Sequence, residues 1–425
     1  MCAENKLLRE EIALLKQGRK SDTSHTPPSL DLSRSNTKNL REKSEKLCGG
    51  QTGHEGHTLL MVENPSKIVS HKPSHCVRCG LNLSHLPSAM VGRRQVVDIP
   101  PIPVEYIEHQ IHSITCSCSQ VNKAMYPQGV DSAIQYGPNI EAVVGYLNVY
   151  QYVPYQRLTT LLKDLFSVAI SQGSVSLIMN RLHEKALPYY TIIREKMSQS
   201  PVVGGDETGT KIAGKRGWMH VWQNPNLTYI VSSMSRGYEV MEQQFNEGFP
   251  NSVYVSDCWA AQLKVESKEK QICIVHLLRE LKNFEESLHC SWSTKLKDLF
   301  KKAIALKKES ATNGMIPYQI EQIKAELDNI LSIDKSHWHN KVQRFAKRLR
   351  KYSDHILTFL SHPQVPPDNN GSERAIRNIK VKTKISTGFR TYKGSEIFAT
   401  LRSVVDTSLK NNGNVFNTFY HLARI

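Results

Sequence analysis

Apolar positions recur at three- and four-residue intervals through IEAVVGYLNVYQYV, YQRLTTLLKDLF and GSVSLIMNRLHEKALPYYTIIREKM, between residues 135 and 200. That period puts them on one helical face and predicts about three helices, with breaks at Gly173 and Pro188. After Pro201 the texture changes. VVGGDETGT, GWMHVWQN, LTYIVSSMS, VYVSDCWA and QICIVHLL are short β-branched and aromatic runs that read as five strands, with helical YEVMEQQF before the fourth. From about 276 to 362 the helical period returns in HLLRELKNFEESL, TKLKDLFKKAIALKK, YQIEQIKAELDNIL and KVQRFAKRLRKYSDHILTFL. The chain closes with SERAIRNIKVKT, a Gly388-Phe389-Arg390 turn and helix-like GSEIFATLRSVVDTSLKNNG.

The first two hundred residues divide further. Leu8, Ile12 and Leu15 give residues 1–18 a short coiled-coil-like pattern, barely two heptads long. Residues 19–70 are rich in Ser, Thr, Lys, Gly and Pro and read as a flexible linker. Alternating apolar residues between two cysteine pairs suggest a small ribbon over 71–125. The helical stretch 126–200 then leads into an α/β domain over 201–425, whose helices at about 276–362 form an insertion. Three successive strands followed by a β-α-β tail make a mixed sheet similar to the ribonuclease H core.

Net charge narrows the class of partner. The 425 residues carry a formal charge of +16, and a basic soluble chain points to a polyanion, most often nucleic acid. No run approaches the ~18 to 20 apolar residues of a membrane helix, and MCAENKLLREE has no signal-peptide core. An intracellular, cytoplasmic protein is expected, without a membrane partner.

Three acids stand out. Asp206 follows Val202-Val203-Gly204-Gly205, Asp257 follows Ser252-Val253-Tyr254-Val255-Ser256, and Glu373 opens a helical segment in PPDNNGSERAIR. Two strand ends and a helix presenting carboxylates to one point make a two-metal phosphoryl-transfer layout. Each has a plain alternative: a turn Asp, an N-cap Asp, and a capping box Asn370-Gly-Ser-Glu373. Glu207 alternates to the other sheet face and is a weaker ligand candidate. After Glu373 come Arg374, Arg377, Lys380, Lys382, Lys384, Arg390 and Lys393 with no acid among them, a stretch suited to phosphates. KVQRFAKRLRK adds Lys341, Arg344, Lys347, Arg348 and Lys351 along one helix face.

The nine cysteines include two close pairs, Cys76/Cys79 and Cys116/Cys118. A C-x2-C followed 36 residues later by C-x-C suits a closed structural Zn2+ site, with His109 or His112 an alternative to one sulfur of the second pair.

Taken together, C-x2-C-G followed by VVDIP, GGDETG with GWMHVW, Ser235-Arg236-Gly237, SDCWAA, CIVHLLREL and NNGSERAIR resemble the insertion-sequence transposases of the type numbered sixty-six, over roughly residues 70–425. The resemblance implies a zinc-binding module ahead of a ribonuclease H-like DDE domain. It carries metal-binding, catalytic roles onto Asp206, Asp257 and Glu373 with Mg2+ or Mn2+, and places His276 near the site. It also implies a prokaryotic, nucleoid-associated enzyme that cleaves element ends and joins them to target DNA, acting as a homo-oligomer and with accessory element-encoded proteins. Arg374, Arg377, Lys380, Lys382, Lys347 and Arg348 are the expected DNA contacts. A nuclease that does not join ends, or a non-catalytic zinc-ribbon DNA binder, are the rival readings. Three features depart from the family pattern: the tight C-x-C pair, Ser372 where Ala is usual, and the short coiled coil.

Overall fold

The computed structural model describes residues 53, 59–99, 102–313, 317–334 and 338–425. The coiled-coil pattern of Leu8, Ile12 and Leu15 and most of the expected linker lie outside the described residues, while 59–70 contain neither helix nor strand. The described residues between Ser35 and Glu105 form one compact unit, and those from Tyr106 to Ile425 another. That boundary falls inside the stretch read as a single ribbon.

In the larger unit, β1 (Ser113–Thr115) and β2 (Val121–Lys123) make an antiparallel hairpin. Three helices follow: α1 (Pro138–Gly145), continued by a π-turn to Tyr150, α2 (Tyr155–Phe166) and α3 (Gln172–Ser198). The breaks expected at Gly173 and Pro188 are absent. Gly173 sits in the first turn of α3, where Ser171 caps by accepting from the Ser174 N–H at 3.0 Å. Pro188 lies inside the helix, and the buried face of Ile178, Leu182, Ala186, Ile193 and Met197 continues past it. Packing along that face outweighs the one backbone bond the proline cannot make.

A five-stranded mixed sheet occupies the centre: β3 (Val202–Ile212), β4 (Lys215–Gln223), β5 (Thr228–Ser233), β6 (Phe249–Ser256) and β7 (Ser267–Ile272), in the order β5-β4-β3-β6-β7. β3, β4 and β5 are antiparallel neighbours, whereas β6 and β7 run parallel to β3. The β3–β4 hairpin turns on Ala213 and Gly214, both at positive φ (49° and 76°), which matches the right-handed twist of the paired strands. α4 (Tyr238–Gln244) precedes β6, and α5 (Ala260–Leu263) precedes β7. QICIVHLL is divided differently from the expected strand: β7 stops at Ile272 and α6 (Ile274–Leu288) begins at once.

Between β7 and the helix that carries Glu373 stand α6, α7 (Ser291–Asn313), α8 (Pro317–Ser332), α9 (Asn340–Lys351) and the short α10 (Thr358–Ser361). Their core is continuous with one side of the sheet: Val253, Val255 and Ile272 pack with Leu277, Leu281, Trp292, Leu296, Phe300, Phe345 and Leu349. Trp292 is fully buried, and its Nε1–H donates to the Ile330 carbonyl at 2.9 Å.

The chain ends with α11 (Asn370–Ser386), α12 (Tyr392–Lys410) and α13 (Val415–Arg424). α12 runs along the outer edge of β5. There Ser403 Oγ accepts the Ile230 N–H at 2.9 Å, Thr407 Oγ1 accepts the Thr228 N–H at 3.1 Å, and Tyr392 donates to the Ser232 carbonyl at 3.0 Å. At the other edge Thr358 donates to the Lys270 carbonyl, and Gln271 exchanges hydrogen bonds with Phe359 and Ile356. α12 also carries a buried ion pair, Arg402 to Asp406 at 2.6 Å, beneath Tyr150 and Tyr152. No helix among the described residues is long and apolar enough to cross a membrane.

Candidate functional site

Asp206 is not at the end of its strand, as the sequence suggested, but fifth in the eleven residues of β3. β4 pairs with β3 along its length to the Ile212–Lys215 turn, which keeps the strand extended. The parallel partner β6 matches it only as far as Gly204 opposite Val255. Asp206 therefore lies just beyond the parallel pairing. Asp257 follows Ser256, the last residue of β6, so both acids stand at the carboxyl edge of these two strands, where open α/β sheets place ligands. Gly204 faces Asn369 and Ser372, while Gly205 faces Tyr254 and Gln262, and Glu207 bonds Gln262 on that second face.

Glu373 is the fourth residue of α11, which Asn369 caps through its backbone, so no capping box forms. The helix begins one residue earlier than that motif requires. The Asn370 N–H donates to Asp368 Oδ1 at 2.9 Å, and the Glu373 carboxylate turns instead to Arg279 at 3.3 Å, with His276 and Arg377 each 3.9 Å away. Asn369, fully buried, ties α11 to β3: its Nδ2 donates to the Gly205 carbonyl at 2.8 Å, and its Oδ1 accepts from Ser372 Oγ at 2.7 Å. A Cβ on Gly204 would stand 2.5 Å from Gln223 Nε2 and 2.8 Å from Asn369 Oδ1, so glycine permits the approach. This contact brings the helix bearing Glu373 onto the strand bearing Asp206.

Asp257 and Glu373 both act electrostatically on Asp206. Burial first, then the charges of Asp257, Glu207 and Glu373, push the Asp206 carboxyl up to about 8, against a lowering hydrogen bond from the Glu207 N–H. Burial also raises Asp257, offset by the Trp259 N–H at 2.9 Å, His276 and Arg236. Half-buried carboxylates that resist ionising together are the donor set a hard divalent cation stabilises. Among the described residues no three His, Cys, Asp or Glu side chains are already gathered as a metal-binding group. The acids therefore do not form a preassembled cage.

Glu207 has another task. Its buried carboxylate accepts from Arg236 Nε at 2.7 Å and from Gln262 Nε2 at 2.6 Å, while Gln262 Oε1 accepts from Tyr254 Oη at 2.5 Å. This network braces the segment after Asp257. Sequence reasoning did not single out Asn369, Gln262 or Arg279. The doubled asparagine of PPDNNGSER was the one local signal, because an Asn just before a helix is a favoured cap.

On α11, Arg374, Arg377 and Lys380 are exposed, but Lys382, expected with them, is buried, its ammonium 6.0 Å from the Phe398 ring. It shares the inward face with Ala375 and Ile379. Burial lowers its pKa to about 8. The folded state then binds fewer protons than the unfolded chain between pH 8 and 10.5, so stability rises with pH across that window. Lys382→Met should stabilise the protein at pH 7 by about 2 kcal/mol and flatten that rise, as read by urea melts at pH 7 and 10. On α9, Lys341, Arg344, Lys347 and Lys351 are exposed, whereas Arg348 is paired with Glu280 at 2.6 Å.

Both cysteine pairs lie in tight turns. The Cys76 N–H donates to the Leu81 carbonyl at 2.8 Å, and the Gly80 N–H to the Cys76 carbonyl at 2.9 Å, with Gly80 at φ +74°. In the other turn Cys116 exchanges bonds with Gln120 and Ser119, one residue shorter, and Ser119 takes the positive φ of 68°. Backbone N–H groups of Cys79 and Arg78 lower the Cys76 pKa, and that of Cys118 lowers the Cys116 pKa, which favours the thiolates a metal needs. All four thiols are free, and His109 and His112 are exposed.

In comparisons with known proteins, no curated protein matches the chain. A family model described as Transposase IS66 family matches residues 133–397, more than half of the chain and all of the sheet, including the three acids.

Proposed function

The chain belongs to the IS66 family of transposases, and from that premise we propose that it is a DDE enzyme that cleaves insertion-element ends and joins them to target DNA. Transposases act on DNA, which accords with the charge of +16. What supports the finer reading is that Asp257 and Glu373 both act on Asp206, whose carboxyl burial and these acidic neighbours push up to about 8. The antiparallel β3-β4-β5 followed by parallel β6 and β7 supports a ribonuclease H-like core with the α6–α10 helices inserted before the last acid.

Asp206, Asp257 and Glu373 would hold Mg2+ or Mn2+, which when bound stabilises the attacking and leaving oxygens of an in-line displacement at phosphorus. Water attacks first: one P–O bond forms, the P–O3′ bond breaks, and the 3′ oxygen leaves with a proton as a hydroxyl. The freed 3′-hydroxyl then attacks a target phosphodiester in the same sense. Arg279 and His276 hold Glu373 in place, and the Asn369 tether fixes its helix against β3. Arg374, Arg377 and Lys380 on α11 and Lys347 on α9 are assigned to backbone phosphates, as is Arg348 where its pairing with Glu280 leaves a donor exposed. Structural zinc on Cys76, Cys79, Cys116 and Cys118 is proposed from their close spacing and the family, and assembly as an oligomer on DNA, with accessory proteins, from the family as well.

The reading is tested by incubating the full chain with Mn2+, a duplex bearing the inverted repeat that flanks its gene and labelled at the 5′ end of the strand to be transferred, and a plasmid target. Transfer of label into the plasmid is expected. Cleavage without transfer would leave the nuclease reading, and binding without cleavage the non-catalytic one.

A further inference from the structure

Trp259 stands two residues beyond Asp257, and its backbone N–H holds that carboxylate. The ring remains 40% exposed, although the neighbouring large side chains of β6, Tyr254 and Val255, are buried. It is not a loose surface aromatic. The Arg236 guanidinium lies 3.9 Å from the ring centroid, and 4.7 Å from that of Trp218. Arg236 is itself fixed by the buried Glu207, which accepts from Gln262 on its other oxygen, while Gln262 accepts from Tyr254. One face of an exposed indole is thus covered by a planar cation that Glu207 and the Trp218 ring keep in place.

We propose that Trp259, backed by Arg236, is a stacking platform for an unpaired nucleobase of the DNA strand at the acids, an inference that rests on the transposase reading above. A ring kept rigid and part-exposed beside a phosphate-cutting site matches what base stacking requires, a flat apolar surface with little conformational entropy to lose. Stacking on it is indifferent to base identity, because every base has a π face. Glu207 offsets the Arg236 charge, so what the platform offers is a flat, rigid π surface, which suits a nucleobase of the strand at the acids. Glu207 and Gln262 are positioning residues for the platform.

The probes are a single-stranded oligonucleotide containing 2-aminopurine and its fully paired duplex, each with the full chain and Ca2+ to support binding without cleavage. The wild type should bind the single strand and change the 2-aminopurine emission as the base stacks. Trp259→Ala should weaken single-strand binding about tenfold, lose the emission change and bind duplex as the wild type does. Trp259→Phe should keep most of the effect. Trp259→Leu, which preserves bulk without a π face, should behave like the alanine variant and covers the case in which alanine loosens the fold. Leucine behaving as wild type, or equal losses on single strand and duplex, would overturn the platform. A wild type that never cleaves DNA while Trp259→Ala still loses stacking would sink the transposase reading instead, so the two failures are distinguishable.

Discussion

Replacing Asp206 by asparagine is expected to lower Mn2+-dependent strand cleavage by roughly a thousandfold or more, with affinity for the DNA unchanged within about twofold. Asparagine keeps the shape and can still accept the Glu207 N–H, so the backbone of β3 has no reason to move. What it removes is the negative charge that a divalent ion needs. The same charge is unfavourable in the metal-free fold, since the Asp206 carboxyl is pushed up to about 8. A raised acid means the folded state retains a proton that the unfolded chain releases, so its contribution to stability declines as pH rises from about 4 to 8. Asp206→Asn should therefore melt higher than the wild type at pH 8, and the gap should close toward pH 4. Loss of activity together with a gain in stability separates a catalytic acid from a structural one. A variant that cleaves normally, or that loses both activity and fold, would contradict the assignment, and Asp257→Asn and Glu373→Gln should share the loss of activity.

The second large effect lies away from the acids. Asp406→Ala should destabilise the protein by about 3 to 5 kcal/mol, because it leaves the Arg402 guanidinium, 2% exposed, without its partner. Burial raises the Asp406 pKa, and Arg402 counteracts it. The pair is a liability when broken rather than a large source of stability when intact. The double replacement Arg402→Met with Asp406→Leu should accordingly recover most of the loss. Urea denaturation of the single and double variants at pH 7 measures both terms. Equal destabilisation of the single and double variants would show that packing under Tyr150 and Tyr152, and not the charge, sets the cost.

The elements that carry two of the acids were legible in the sequence, because Asp257 follows a β-branched run and Glu373 opens a helical period. Val253-Tyr254-Val255 marks β6, and the acid-free run after Glu373 marks α11. The strand order could be read because the apolar runs are short and the turns between them polar. What stayed hidden depends on contacts between distant residues. Asn369 meets Gly205 across 164 residues, and no local pattern records that. The continuity of α3 through Pro188 and the burial of Lys382 are likewise decided by the neighbours that pack on those faces. The position of Asp206 within β3 was misread because β4 extends the strand past the point where β6 leaves it, a difference set by pairing partners and not by propensity.

The covered flanks of the sheet have a consequence for how copies of this chain can assemble. The amides of Thr228 and Ile230 are bonded to α12 hydroxyls, and Lys270 and Gln271 are engaged by residues 356–359. Open strand edges invite another chain to extend the ladder. Here hydroxyl and amide side chains stand where an incoming strand would dock, so extending the five-stranded sheet at β5 would first require α12 to be peeled away. The β5 amides should therefore exchange with solvent as slowly in the free chain as in any assembly it enters.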